Sequence, residues 1–377
     1  MHIRFLLGRA RLLALVLTIG MLLPLTLPGT ATAAPRQAGA AFYQQTNLVS
    51  DISGLAAFTD AHLVNPWGIS FSSTSPFWVS DNGTGVSTLY NGQGQPFPPP
   101  PASPLVVTIP PASGSGQGTP TGTVFNGTTG FVITQGTSSG PVRFLFDTLD
   151  GTISGWNPAV NRSSAVIAVN NASSAVYTGL TMASNASGTF LYAANALPSP
   201  AHPNGTIDVF DQHFTPTRLQ GSFTDANLPA SYTVYNIQTV AGFLLVTYAL
   251  PPTSPSQVGD GFVDVFDTSG HLVRRLISRG PLDAPWGLVL APAQFGRFSK
   301  ALLVGNLANG YINAFNFETG AFRGTLKNRQ GQPIQNAGLW ALTFGNGSQG
   351  FNPHTLYFDA GIDNFQHGLF GAITPGS

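Results

Sequence analysis

The stretch Gly205-Thr206-Ile207-Asp208-Val209-Phe210-Asp211 decides the predicted fold, because its order of residue types recurs along the chain. It runs from a glycine through alternating apolar and polar residues to an aromatic residue, which Asp or Asn follows. Close copies begin at Gly151, Gly261 and Gly310, and looser copies begin at Gly85 and Gly368. Period-2 alternation bounded by turn residues is typical of short, half-buried β-strands. Six copies therefore predict six equivalent strands.

Further apolar elements accompany these copies and repeat every ~55 residues, a period typical of propellers. The first element carries a bulky residue and usually a small one after it, as in Pro285-Trp286-Gly287-Leu288. The second ends in polar residues, as in Phe77–Asn82. Fourth strands are predicted at Leu105–Ile109, Ala165–Val169, Leu219–Phe223, Leu272–Ile277 and Phe322–Leu326. Four short strands per repeat favour a propeller blade over the alternative, a pair of β-sandwiches.

The last repeat lacks a fourth strand of its own, since the chain ends soon after Gly368. The stretch at residues 41–48 has no partner in the first repeat, and we expect it to complete the last blade. Such closure removes a sheet edge that would otherwise be open to aggregation. The sequence therefore predicts an all-β fold, a six-bladed β-propeller of four-stranded antiparallel blades closed by the N-terminal strand.

Residues 1–33 have the pattern of a secretory signal peptide. Three arginines precede an apolar run from Leu12 to Leu27, and Ala31-Thr32-Ala33 supplies a small-residue cleavage site. A membrane anchor is the alternative, but Pro24 interrupts a run that is shorter than the ~20 residues a span needs. We therefore expect cleavage after Ala33, a secreted protein with no membrane attachment, and one propeller domain over residues 34–377.

The composition excludes several classes of site. Charged residues make up 8% of the chain, and 15 Lys and Arg balance 15 Asp and Glu, so no basic surface for nucleic acid is expected. The chain has no Cys, which excludes disulfides and thiolate metal sites. The 44 Gly and 30 Pro interrupt the sequence so often that long helices are not expected.

The repeat units resemble NHL-type β-propellers. The stretch from Thr46 to Gly68, which includes Asn65-Pro66-Trp67-Gly68, resembles a family of secreted bacterial propeller proteins of uncharacterised function. The resemblance covers nearly all of residues 34–377 and implies six blades, but it assigns no catalytic residue. More distant propellers of this shape include gluconolactonase-like metal-dependent lactonases and streptogramin-lyase-like enzymes.

Polar residues gather at one predicted end of the channel, where the loops entering the first strands and following the second strands lie. This end is expected to be acidic and rich in amides. Its candidate metal ligands stand at matched strand ends: Asp81, Asn82, Asn195, Asn306 and Asp359. Oxygen-only ligands suit Ca²⁺ or Mg²⁺. The alternative is that these residues form turns by accepting hydrogen bonds from neighbouring backbone N–H groups.

Two functions remain open from the sequence. The favoured one is an extracytoplasmic binding module, a monomer whose partner is an extracellular small molecule, polysaccharide or protein. The other is a metal-dependent hydrolase or lyase, lactonase-like, acting on a small ester or lactone. The resemblance to lactonases implies a metal-binding Glu, whereas the one Glu here, Glu318, lies in a turn.

Aromatic and histidine residues give weaker signals. Trp67, Trp286 and Trp340 occupy one blade position, which favours packing between blades over a sugar-stacking site. His62, His202 and His367 lie on three separate loops without a ligand spacing, so surface positions are favoured over a transition-metal site.

Overall fold

A computed structural model describes residues 42–251, 254 and 256–376, which form six mainly antiparallel sheets arranged as propeller blades and one separate two-stranded sheet. The predicted all-β, six-bladed β-propeller is confirmed. The predicted signal peptide lies outside the described residues. Within those residues, no helix has the length and apolar composition needed to cross a membrane.

The first half of the chain forms three blades. Two strands precede them, β1 (Tyr43–Ser50) and β2 (Phe58–Thr59). Blade 1 consists of β3 (Pro66–Ser70), β4 (Phe77–Asp81), β5 (Val86–Tyr90) and β6 (Val107–Thr108). Blade 2 begins with β7 (Pro120–Phe125) and carries an inserted hairpin, β8 (Val132–Gln135) and β9 (Ser138–Pro141). It ends with β10 (Phe144–Thr148), β11 (Thr152–Trp156) and β12 (Val166–Asn170). Blade 3 consists of β13 (Tyr177–Asn185), β14 (Gly188–Asn195) and β15 (Thr206–Phe210).

The second half forms the remaining three blades. Blade 4 consists of β16 (Thr233–Val240), β17 (Phe243–Ala249), β18 (Phe262–Phe266) and β19 (Leu272–Ser278). Blade 5 consists of β20 (Pro285–Leu290), β21 (Ala301–Asn306), β22 (Ile312–Asn316) and β23 (Phe322–Thr325), with a 3₁₀ turn at Gly296–Phe298. Blade 6 contains β24 (Leu339–Phe344), β25 (Leu356–Ala360) and β26 (Leu369–Pro375), with a short helical turn, α1, at Ile362–Phe365.

Strand β1 lies on the outer side of blade 6. It pairs antiparallel with β26, from Tyr43 opposite Pro375 to Ser50 opposite Leu369. The buried Tyr43 hydroxyl donates to Phe295 O (3.0 Å) and accepts from Phe298 N (3.1 Å). These bonds attach the strand to blade 5 as well as to blade 6.

Blade 3 departs from the prediction, because Leu219–Phe223 does not form a fourth strand. This segment crosses instead to the turn between β18 and β19, where Gly221 N donates to Ser269 O and Phe223 N to Gly270 O. The Phe223 ring lies between Tyr192 of blade 3 and Phe266 of blade 4. Aromatic packing between blades therefore replaces a strand ladder at this position.

The core consists of apolar layers between neighbouring blades. In β4, Phe77 packs with residues of blade 6, including Tyr357, whereas the adjacent Trp78 packs with Phe144 of blade 2. Side chains on both faces of an inner strand are therefore buried. This double burial explains why the second strands are more continuously apolar than simple alternation predicts.

Candidate functional site

The first strands of the six blades surround a narrow axis. A Cβ atom at Gly122 would overlap the backbone nitrogen of Leu180 in the next blade, and one at Gly287 would overlap the carbonyl oxygen of Trp340. Only residues without a side chain allow these backbones to approach so closely. The space left between the first strands is a cavity of about 30 Å³, which has room for little more than water.

Three tryptophans close one end of this axis, and we call them the tryptophan floor: Trp67, Trp286 and Trp340. Trp67 stacks on Trp340 at a centroid distance of 3.5 Å, and Trp286 meets both edge to face at 6.4 and 5.8 Å. Trp286 Nε1 donates to Thr178 O (2.9 Å), whereas the buried Nε1 of Trp67 has no partner. Trp67 and Trp340 therefore pack between blades, as predicted, and they also line the cavity above the floor.

The space above the floor, which we call the axial cavity, has a volume of about 780 Å³. Residues from all six blades and their connecting loops surround it. Its walls are mostly apolar and include Leu149, Val176, Leu197, Tyr235, Leu250, Ala284, Leu307 and Phe365. None of the described residues that line it is Asp, Glu, His, Lys or Arg. The acidic surface expected from the sequence therefore does not line this cavity.

Two hydrogen-bonded amides, Asn65 and Asn82, belong to the polar part of the axial cavity, which also includes Thr178, Thr233, Tyr235, Ser254, Ser256 and Asn364. Asn65 Oδ1 accepts from Trp340 Nε1 (3.1 Å), and Asn65 Nδ2 donates to Asn82 Oδ1 (3.3 Å). Asn82 Nδ2 in turn donates to Pro120 O (3.1 Å). The chain of bonds joins the floor to blades 1 and 2 and fixes both amides in place.

A left-handed turn stands at the rim of the axial cavity. Asp363, Asn364 and Phe365 have φ values of 51°, 54° and 66°, a conformation that residues other than Gly and Asn rarely adopt. Asn364 and Phe365 line the cavity, and the Phe365 ring centroid is 5.9 Å from that of Trp340. The turn thus places an aromatic ring beside the floor.

The residues just after the rim turn are attached to Asp51, which directly follows β1. Asp51 Oδ1 accepts from Gly368 N (2.8 Å), and Asp51 Oδ2 pairs with His367 Nδ1 at 2.6 Å. The hydrogen bond with Asp51 raises the pKa of His367, and its small desolvation opposes that effect. Asp51 therefore fixes the position of the chain just after the turn.

Among the five predicted metal ligands, the two aspartates are fully buried and bonded to strands. Asp81 Oδ2 accepts from Thr88 N (3.1 Å) and Thr88 Oγ1 (2.8 Å), and Asp359 Oδ1 accepts from Ala341 N (2.6 Å). The other oxygen of each carboxyl group has no partner. Burial raises the pKa of both groups well above the usual range, and the charges of Asp60 and Asp359 raise the pKa of Asp81 further.

Two of the three predicted amide ligands, Asn195 and Asn306, bond to neighbouring loops. Asn195 Oδ1 accepts from Val176 N and Leu197 N, so it acts as a turn former. Asn306 Nδ2 donates to Pro281 O (2.8 Å), while its Oδ1 has no partner. Of the five residues, Asn82 is the one that the structure places on the axial cavity.

Metal binding by these residues stays a prediction. Within the described part of the chain, no three or more His, Asp or Glu side chains are grouped so as to hold an ion. That statement covers His62, His202 and His367, whereas it does not consider amide ligands. His62 Nδ1 pairs with Asp60 Oδ1 (3.0 Å) rather than with another histidine.

The residues that sequence reasoning missed are apolar or amide side chains of the axial cavity. Asn364 and Phe365 carry no motif, Asn65 was noted only within the stretch Asn65-Pro66-Trp67-Gly68, and the Trp floor was assigned to packing alone. The repeated bulky residue of the first strand was the available signal, because first strands converge on the axis of a propeller.

Comparisons with known proteins identify relatives and similar folds. The chain is 33% identical over 344 residues to the uncharacterised protein R648 of Acanthamoeba polyphaga mimivirus, covering 86% of this chain and 78% of that protein. It is 32% identical to protein L690 of the same virus, covering 90% and 87%. A streptogramin B lyase structure is 10% identical, with 89% and 98% covered and a TM-score of 0.48. No protein-family model matches the sequence. These relatives are viral, whereas the sequence patterns resembled bacterial proteins.

Proposed function

The chain belongs to the family of the mimivirus proteins R648 and L690, and since those names assign no activity, we propose a function from the site itself. The protein is an extracytoplasmic binding module that holds a small-molecule ligand in the axial cavity. The observation that carries this proposal is a cavity of about 780 Å³ above an aromatic floor.

The size and construction of the axial cavity support ligand binding. Small-molecule sites usually measure ~300–1,000 Å³, are mostly apolar and contain a few positioned polar groups. Here the floor stands on first strands of three blades, and the Asn65 and Asn82 amides are fixed by hydrogen bonds. A ligand would therefore meet a preformed surface, which reduces the entropy lost on binding.

A cavity-filling variant tests the location of the ligand. Ala308 lines the axial cavity and is exposed, so Ala308→Trp places an indole ring in the ligand's space. The matched control is Ala321→Trp, at an exposed turn before β23 on the outside of blade 5. Both variants and the wild type are screened for thermal stabilisation by matched anionic, cationic, glycan and neutral apolar compounds.

We expect at least one compound to raise the melting temperature of the wild type and of Ala321→Trp, and to lose this effect with Ala308→Trp, because a ligand that binds only the native state stabilises it. The proposal fails if every stabilising compound acts equally on Ala308→Trp, or if no class of compound stabilises the wild type.

The extracytoplasmic location rests on the signal-peptide pattern of residues 1–33. Expression of the full chain in a secretion-competent host, followed by cell fractionation and mass determination, tests it. The exported protein is expected to begin at Ala34. Retention of an uncleaved chain inside the cell would contradict this part of the proposal.

A further inference from the structure

The lining of the axial cavity bears on the chemistry of its ligand. A charged ligand would leave water and, among the described lining residues, meet no opposite charge. Burying an unpaired charge is strongly unfavourable. Three acidic residues at this end of the propeller are bonded elsewhere, Asp60 to His62, Asp51 to His367 and Asp225 to Arg275, and Asp363 of the rim turn is not part of the lining.

The axial cavity is mostly apolar, and several of its polar groups are already bonded: Thr178 Oγ1 donates to Ala194 O and Ser256 Oγ donates to Asp283. Asn65 contacts the floor and Asn82, and Asn82 contacts the backbone of blade 2. A polyhydroxyl ligand needs a hydrogen-bond partner for most of its hydroxyl groups, because each one buried without a partner weakens binding. The aliphatic walls formed by Val176, Leu197 and Leu307 offer no such partners.

The rim turn adds an independent observation. Phe365 is 41% exposed, although its ring lies beside Trp340. Phe365 has a left-handed backbone conformation, as do the preceding Asp363 and Asn364, and this conformation is unfavourable for a residue that has a Cβ atom. Backbone strain of this kind persists where the surroundings enforce it, and it gathers at ligand contacts. Here Asp51 holds the two residues that follow shortly after the turn, His367 and Gly368.

We propose that the ligand of the axial cavity is an uncharged, predominantly apolar small molecule that contacts both the tryptophan floor and Phe365. This inference rests on the proposed function and names the ligand class of that site. Aromatic rings on two sides and aliphatic walls between them match such a molecule by apolar burial, the main source of its affinity.

Two dyes that differ by one group test the charge selection. N-phenyl-1-naphthylamine is neutral, and 8-anilino-1-naphthalenesulfonate has the same skeleton with an added sulfonate. Fluorescence titration of the protein that begins at residue 34 measures both. We expect the neutral dye to bind saturably and at least tenfold more tightly than the anionic one. We also expect Ala308→Trp, and independently Ala337→Trp at another position of the lining, to abolish this binding.

Variants of the rim aromatic test the contact. Phe365→Ala is expected to weaken binding of the neutral dye at least fivefold, and Phe365→Leu, which keeps apolar volume, at least twofold. The matched control is Phe322→Ala, a half-exposed phenylalanine on the outer strand β23, which should change affinity by less than twofold. Circular dichroism and thermal melting confirm that each variant is folded.

The inference is overturned if the anionic dye competes for the axial cavity as tightly as the neutral one, if dye binding survives both cavity-filling variants, or if Phe365→Ala behaves like Phe322→Ala. It is also overturned, while the proposed function stands, if the neutral dye does not bind but a charged compound or a glycan gives stabilisation that Ala308→Trp removes. If no compound of any class is sensitive to Ala308→Trp, both proposals fail.

Discussion

Replacing Asp147 with Asn isolates the pH dependence of one buried carboxyl group. Asp147 Oδ1 accepts hydrogen bonds from Gly122 N (2.6 Å) and Thr121 Oγ1 (2.8 Å), whereas Oδ2 has no partner. Burial raises the pKa of Asp147 to about 7, and the bonds from Thr121 and Gly122 oppose that rise. Asn keeps an accepting oxygen and has no ionisable proton, so the variant imitates the protonated acid.

The sign of the effect follows from the direction of the shift. The native carboxyl holds its proton up to about pH 7, whereas the unfolded one releases it near 3.8. Its contribution to stability is therefore complete below about pH 4 and is lost as the pH rises to 7. One pKa unit corresponds to ~1.4 kcal/mol, so the loss is of the order of 4 kcal/mol. The Asn variant does not undergo this loss.

Urea unfolding at several values between about pH 4 and pH 8 measures the difference in unfolding free energy between wild type and variant. We expect Asp147→Asn to gain stability relative to the wild type by several kcal/mol over this range. A difference that stays constant, or that moves in the opposite direction, would refute the argument.

Asp267→Asn serves as a control, because the pKa of Asp267 is shifted in the opposite direction to that of Asp147. Burial acts to raise the pKa of Asp267, but hydrogen bonds from His271 and Ser269 outweigh it and hold the pKa below the usual value. The stability that this half-exposed carboxylate contributes is present above the unfolded value and is lost only at lower pH. Its difference from wild type should therefore change much less than the Asp147 difference over the same pH range, because the ion pair of Asp267 with His271 is exposed to solvent.

Three other predictions concern closure, the floor and the candidate metal ligands. A chain that starts at Asp51 lacks β1 and its seven residue pairs with β26, so its melting temperature should fall by about 5 °C or more; a fall of one or two degrees contradicts a closing role. Asn65→Ala leaves Trp340 Nε1 without its acceptor and should reduce the unfolding free energy by about 1–3 kcal/mol in urea titration, whereas an unchanged midpoint would show that the bond contributes nothing. Millimolar Ca²⁺ or Mg²⁺ should raise the melting temperature, and the double variant Asp81→Ala, Asp359→Ala should lose that rise while remaining folded; the same rise in both proteins would exclude these aspartates as ligands.

The blade repeat was predictable because it is local. In Gly205–Asp211 and its copies, the glycine, the alternation and the terminal Asn or Asp each act within a few residues of one another. For example, Asp211 Oδ1 accepts from His213 N and Thr215 N, which closes the turn after β15. Contacts between residues so close in the sequence can be predicted from the order of residue types.

The missing fourth strand of blade 3 depends on distant contacts. Leu219–Phe223 has the composition of a strand, but Phe223 packs between Tyr192 and Phe266, and Asp225 binds Arg275 of β19. These partners lie about 30 to 50 residues away along the chain. Local strand propensity does not predict whether this segment pairs with β15 or packs on blade 4.

The candidate site was predictable in its position and not in its chemistry. The sequence placed Asp81, Asn82 and Asp359 near the channel, but their hydrogen-bond partners determine which side chains reach the axial cavity. Asp359 turns toward Ala341, whereas Asn82 faces the cavity beside Asn65. The number of acidic residues at this end of the channel therefore predicted a charged surface. In the structure, Asp81 and Asp359 are hydrogen-bonded and an apolar surface lines the cavity.

The pairing of β1 with β26 determines how the ring would respond to a mechanical load. Tyr43 lies opposite Pro375, so the first residue of one strand and the last residue of the other are side by side. Tension applied between these two residues acts across the first pair, so the hydrogen-bonded pairs break one after another. It does not load all of the pairs in shear at the same time. The ring should therefore peel open at low force when it is held by both ends, whereas attachment through one end leaves this seam unloaded.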